Sequence, residues 1–305
     1  PVSALIHAAT MVTAGVFLLI VMSPLIESSE SSLNFILIIG SITCIFASSV
    51  AVFQNDIKRI IAYSTCSQLG YMFMAIGSSA YTLAYFHLLS HAFFKALLFL
   101  GAGSVIHSMS DEQDIKKMGG LYNKIPLTYI CMLIGSLSLI GLPFLSGYYS
   151  KDLILEIIYL NDFKYSFHFF LMGVVGVLFT SIYSLRLLVY VFHRENVADE
   201  KVIAHIHESP LIMILPLVIL STFAIFFGMF MNTIFTEINF LEMWSSTMYV
   251  NKSLDGSFIK QNVPVLFKKL PLLMILIGSI VIFFLYFSFR KIIPFLKSRL
   301  SFIYN

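Results

Sequence analysis

Tyr85 to Ile106, YFHLLSHAFFKALLFLGAGSVI, is an apolar stretch long enough to cross a bilayer as a helix, yet it carries two histidines and a lysine. His87, His91 and Lys95 stand at i, i+4 and i+8, so at about 100° per residue they fall within roughly 80° of arc on one helix face. A charged side chain at the bilayer centre costs at least ~2.5 kcal/mol, so such groups face a bundle interior or a water-filled path and mark ion or proton routes. Function is to be sought here first.

Lys95 lies near the middle of the Tyr81 to Ile106 span, a poor position for snorkelling to an interface. Desolvation penalises the charged form of a lysine while a nearby acid or water chain restores it, which makes a group whose protonation can be switched. His87 and His91 add imidazoles two turns and one turn away. His87, nearer the end of the span, also reads as a mouth residue.

Only 11% of the 305 residues are charged, against 58% that are hydrophobic. A soluble domain carries about 25% charged residues, so the chain reads as a multi-pass membrane protein. The net charge of +3 is spread over loops without a long basic run, which excludes nucleic-acid binding as a class. Cys44, Cys66 and Cys131 all lie inside apolar segments and form no CxxC pair. They read as small buried hydrophobes rather than as a disulfide framework or zinc ribbon. The chain opens on Pro1 and enters a span at once, as a downstream piece of a longer sequence would.

Apolar periodicity predicts an all-α membrane protein of about eight transmembrane helices. The expected spans are Ala4 to Leu25, Leu33 to Phe53, Ile60 to Gly77, Tyr81 to Ile106, Pro126 to Tyr159, Ser166 to Phe192, Pro210 to Met231 and Pro271 to Ser288. The third is unusually polar; its Ser64, Thr65, Ser67 and Gln68 suit close helix packing. The fifth is expected to be broken, because GLPFLSGYYS at 141–150 interrupts a helix and Asp152 to Tyr159 is too short to cross alone. Non-helical backbone at membrane depth is tolerated where protein or a water-filled cavity satisfies it, and transporters place ion sites at such breaks. The expected organisation is a transmembrane core over 1–231, an interfacial loop over 232–269 and a final helix with a basic tail over 270–305.

Charge bias checks the count of crossings. With one broken crossing, Lys58, Arg59, Lys116, Lys117, Lys124, Arg194, Lys201, Arg290, Lys291, Lys297 and Arg299 share one side. Lys164 and the lysines of 232–269 are left on the other. Two separate crossings would destroy that bias.

Lys151, Asp152 and Glu156 form a second titratable cluster immediately after the break. They read either as a proton or ion site or as solvated groups on an exposed loop. His7, early in the first span, either joins the same path or is a core histidine bonded to a carbonyl. Arg186 favours carbonyl pairing or snorkelling, and His107 a boundary position. His205, His207 and Glu208 lack a third well-placed ligand for a metal, and Gly101 to Gly103 follows no strand, so neither is a site. Asn251-Lys252-Ser253 is a formal glycosylation acceptor of little weight.

Four segments, PVSALIHAATMVTAGVFLL, FQNDIKRIIAYSTCSQLGYM, HAFFKALLFLGAGSVIH and GLPFLSGYYSKDLI, occur in order. On them the chain resembles the chain 5 family of antiporter-like membrane subunits of the proton-pumping NADH:ubiquinone oxidoreductase, respiratory complex I. The large subunits of cation/proton antiporters are similar. The Lys in YYSKD favours the chain 5 branch over chain 4 relatives, which typically have Glu there.

By that resemblance Lys95 matches the central lysine of the second half-channel and Lys151 the lysine near the exit, with Asp152 flanking it. His7, His87 and His91 match the connecting polar axis. The resemblance implies the second half of an antiporter-like fold of two inverted repeats, acting as a non-redox proton-translocating subunit of NADH:ubiquinone reductase. It implies no cofactor in this chain; NADH, FMN, iron-sulfur clusters and ubiquinone belong to other subunits. The implied partners are the other membrane-arm subunits, a separate chain supplying the N-terminal half, the neighbouring antiporter-like subunit, and lipid. A stand-alone cation/proton antiporter subunit and a structural fragment bracing the complex remain as alternatives. Abundant Phe, Ile and Tyr fit an AT-rich organellar genome, hence the mitochondrial inner membrane, with a bacterial plasma membrane as the alternative.

Overall fold

The computed structural model describes residues 2–161, 165–195, 197, 206–237, 243–250 and 261–287, with only the backbone for 7–9, 286 and 287. Lys164, Lys201, His205, the acceptor at Asn251 and the basic tail residues Arg290, Lys291, Lys297 and Arg299 lie outside the described residues.

The described chain is helical, and its single β feature is an isolated bridge between Asp56 and Asp114. The helices are α1 (Ser3–Val21), α2 (Ser23–Ile26), α3 (Glu30–Phe53), α4 (Ile57–Gly77) and α5 (Tyr81–Ser108). They continue with α6 (Pro126–Ile140), α7 (Ser146–Leu160), α8 (Ser166–His193), α9 (Leu211–Thr236) and α10 (Val265–Phe287). Among the described residues six of these, α1, α3, α5, α8, α9 and α10, are long and apolar enough to cross a membrane. The polar α4 and the α6–α7 pair bring the crossings to the expected eight.

Local chemistry sets the ends. Asp56 opens α4 by accepting from the backbone N–H of Lys58 at 2.8 Å and Arg59 at 3.0 Å. Pro126 begins α6, where its missing N–H costs nothing, and Gly141 ends it at φ +94°, a left-handed conformation that favours glycine. The final helix starts at Val265, earlier than expected, with Pro271 inside it. A proline is tolerated within a membrane helix where neighbours satisfy the freed carbonyl.

The fifth span is broken, with two corrections to the expectation. The helix resumes at Ser146, so the break covers only 141–145, and Lys151 lies within α7 instead of directly after the break. The two half-helices overlap, since the Gly147 N–H reaches the Ser138 hydroxyl at 3.4 Å. In one continuous helix nine residues would separate them by about 13.5 Å along the axis.

They nonetheless make one crossing. Thr128 meets Ser104 at 3.0 Å, Gly135 packs on Leu98, and Ser150 meets His87 at 2.8 Å. Read from α6 into α7, contacts march steadily backward along α5. Tight packing of α3 on α4 comes from glycine, since a Cβ at Gly40, Gly70 or Gly77 would collide with the facing backbone.

Buried apolar side chains form two cores. One contains Ile61, Phe94, Leu97, Met132 and Tyr183. The other contains Leu37, Tyr71, Leu88, Ile154 and Val177. Between Ile61 and Tyr71, between Leu88 and Phe94, and between Val177 and Tyr183 the buried side chains are polar, among them Ser64 and Gln68, His91, and Thr180. A polar seam separates the two cores.

Candidate functional site: a buried polar seam

Lys95 is completely buried on α5 and faces α4. Its Nζ donates to the Ile61 carbonyl at 3.3 Å and to the Ser64 hydroxyl. The same Ile61 carbonyl also accepts from the Ser64 hydroxyl at 2.8 Å and the Thr65 hydroxyl at 3.0 Å, so three side chains converge on it. Lys151 is 1% exposed on α7; its Nζ donates to Thr180 Oγ1 at 3.1 Å and lies 4.9 Å from the centre of the Tyr71 ring. Tyr71 is held by its own hydroxyl, which donates to the Gly173 carbonyl at 2.7 Å. Among the described residues neither lysine has a carboxylate within ion-pairing distance.

The histidines lie between them. His91 is fully buried, its ring centroid 6.3 Å from that of His87 and edge-on to Phe94. Neither nitrogen of His91 has a hydrogen-bond partner. His87 is fully buried and bonded at both nitrogens, Nδ1 with Ser150 Oγ at 2.8 Å and Nε2 with Gln68 Oε1 at 3.2 Å. It is an interior residue, not the mouth residue its position in the span allowed.

The seam joins four helices: α4 through Ser64 and Gln68, α5 through the histidines and Lys95, α7 through Ser150 and Lys151, and α8 through Thr180. The expected stripe on α5 is thus one wall of a layer. The sequence alone does not mark Ser64, Gln68, Tyr71, Ser150 and Thr180 as members of this layer. The polarity of α4 was a usable signal, since Ser64 and Gln68 are one turn apart, but it read as packing.

Asp152 and Glu156 do not join the seam. They line a cavity of about 420 Å³ with Tyr148, Asn232, Lys268 and Lys269, between α7, α9 and α10. His7 lies in α1, with its side chain outside the described residues. Cys44 and Cys131 are buried as expected, but Cys66 is exposed on the outer face of α4.

The remaining polar residues brace the bundle. Arg186 donates to the Val52 carbonyl, to the Gln54 carbonyl at 2.7 Å and to Asn55 Oδ1 at 2.7 Å, the carbonyl pairing expected of it. Glu208 accepts from the N–H groups of Leu127 at 3.0 Å and Thr128 at 3.3 Å, so it caps α6. No cluster of metal-ligating side chains occurs among the described residues. His107 is exposed in the last turn of α5.

A helical bundle with two buried lysines on a polar seam at a broken helix defines a class, the polytopic membrane proteins with a polar interior. Residues 1–180 match the family described as NADH:quinone oxidoreductase/Mrp antiporter, TM, and the chain belongs to that family.

Curated relatives carry the name NADH-ubiquinone oxidoreductase chain 5. That of Phytophthora infestans is 50% identical over 298 residues, covering 97% of this chain and 45% of the relative. That of Dictyostelium discoideum is 48% identical, covering 95% and 43%. That of Marchantia polymorpha is 47% identical, covering 98% and 44%. The chain thus spans about half the length of the curated relatives it matches. In the solved structure of an Mrp complex from Dietzia sp. DQ12-45-1b, one chain shares the fold with a TM-score of 0.77 at 24% identity, covering 99% of this chain and 32% of that one. The membrane-bound sulfane sulfur reductase, an archaeal respiratory membrane complex, has a chain that matches 65% of this one with a TM-score of 0.60 at 27% identity.

Proposed function

We propose that the chain provides a lysine/histidine proton half-channel in the membrane arm of a proton-pumping NADH:ubiquinone oxidoreductase. The observation that carries this reading is two buried lysines without carboxylate partners among the described residues, with two buried histidines between them on a polar seam that spans four helices. Lys95 is the switchable central group. A proton released from it passes to His91 and His87, then through the Ser150 hydroxyl toward Lys151. Asp152 and the cavity beside it form the exit. His7 belongs to the same axis.

The chain does no redox chemistry of its own in this reading. NADH, FMN, iron-sulfur clusters and ubiquinone are bound by other subunits, and the work that moves the proton arrives through conformation or charge. Its partners are the neighbouring antiporter-like subunit and a chain carrying the N-terminal repeat, and the eukaryotic relatives support the mitochondrial inner membrane as its location.

Lys95→Met in the assembled complex tests the proposal. Proton pumping per NADH oxidised is expected to fall on the order of tenfold or more, the usual weight of an acid–base group. Normal pumping by an assembled complex carrying the substitution would remove Lys95 from the path. Cation-dependent transport without NADH oxidation would instead favour an antiporter.

A further inference from the structure

A second cavity lies at the opposite, basic end of the bundle and takes no part in the seam. It encloses about 450 Å³ and is lined by Asn55, Lys116, Arg186, Tyr190, Ile282 and Leu285. No carboxylate lines it. Phe53, also on its wall, is 80% exposed, and Leu285 on α10 is 47% exposed, so its apolar side opens onto the surface that faces lipid.

Three cations gather here. Arg186 is fixed by its bonds to the link between α3 and α4, and its guanidinium carbon stands 5.6 Å from the Tyr190 ring centre. The Arg194 guanidinium carbon stands 5.3 Å from the same ring, and Arg194 is tied to the Lys116 carbonyl at 3.2 Å. Lys116 itself is exposed. Guanidinium groups already oriented by other bonds lose little entropy on meeting a phosphate, and their planar forks match its oxygens.

We propose that this cavity is a binding site for the headgroup of an anionic phospholipid of the membrane. The phosphate sits between Lys116 and Arg186, with Arg194 adding charge through the shared Tyr190 ring. The acyl chains descend along Phe53, Ile282 and Leu285. Basic pockets between transmembrane helices on the side rich in Lys and Arg favour such headgroups, at a weight of about one tenfold step or less per cation. A zwitterionic lipid leaves this charge uncompensated, and a free phosphate leaves the apolar wall uncovered.

The test uses the assembled membrane complex in phosphatidylcholine vesicles containing a trace of photoactivatable cardiolipin. Irradiation is expected to label peptides containing Phe53, Ile282 or Leu285. Unlabelled cardiolipin should compete; phosphatidylcholine and inorganic phosphate should not. Lys116→Gln should lower labelling about fivefold, the factor for one near-surface cation, while Lys116→Arg should preserve it. Competition by inorganic phosphate alone would assign a free-anion site instead. Equal labelling by a photoactivatable phosphatidylcholine would overturn the proposal, as would labelling indifferent to Lys116→Gln. The competition arm needs no substitution, so it decides the matter even if the variant fails to assemble.

Discussion

His87 on α5 and Ser150 on α7 are 63 residues apart in sequence, yet Nδ1 of the one lies 2.8 Å from Oγ of the other. The Ser150 hydroxyl belongs to the residue just before Lys151, so this contact ties the polar face of α5 to the broken helix. It exists because α7 resumes after a break of only a few residues and runs on beside the first half of α5.

Ser150→Ala removes that link without changing the volume of the core much. Loss of one hydrogen bond of about 0.5–1.5 kcal/mol is expected to slow proton transfer roughly threefold to tenfold while leaving assembly intact. Proton uptake by vesicles holding the complex is the measurement, and an unchanged rate would mean that protons bypass Ser150.

Thr180→Val preserves shape but takes away the hydrogen-bond partner of the Lys151 ammonium. A buried donor left unsatisfied costs about 1–3 kcal/mol, so the complex should lose thermal stability, and pumping should fall more than NADH oxidation does. Thr180→Ser, which keeps the hydroxyl, should restore both.

At Gly147 a side chain has no room, because a Cβ would overlap the Ser138 carbonyl where α7 crosses the end of α6. Gly147→Ala is expected to destabilise by about 1–3 kcal/mol through overpacking. Gly103 on α5 has nothing within 4 Å of its would-be Cβ, so Gly103→Ala should be neutral or stabilising by up to ~1 kcal/mol. Thermal unfolding of the two variants side by side separates steric closure at the break from a general intolerance of substitution.

Glu208 caps α6 from outside that helix, accepting from two N–H groups of its first turn. Glu208→Ala should cost about 0.5–2 kcal/mol, seen as a lower unfolding temperature, with pumping per NADH unchanged in the complex that survives. A selective loss of pumping would instead place Glu208 on a proton path.

Much of this architecture was legible in the residues. Apolar lengths gave the crossings, and the asymmetry of Lys and Arg gave one crossing, not two, for the broken span, which the contacts of α6 and α7 along α5 bear out. The break is shorter than expected, because Ser146 to Ser150 reads as loop-forming in isolation but is helical in the fold, where Gly147 packs against Ser138. Cys66, expected to be buried, is exposed for a related reason. Within an apolar helix nothing local says which side faces the bundle.

What the sequence determined by itself is the alignment of His87, His91 and Lys95, because a helix of fixed pitch converts a spacing of four into a face. Tertiary structure decided everything that crosses between helices: that Lys95 meets Ser64, that Lys151 meets Thr180, that His87 is bonded on both sides, and that Asp152 looks into a separate cavity. Pitch is a property of the local backbone, whereas partners are chosen by how whole helices pack. In a bilayer that choice falls to close contact and polar pairing, which no single stretch of sequence contains.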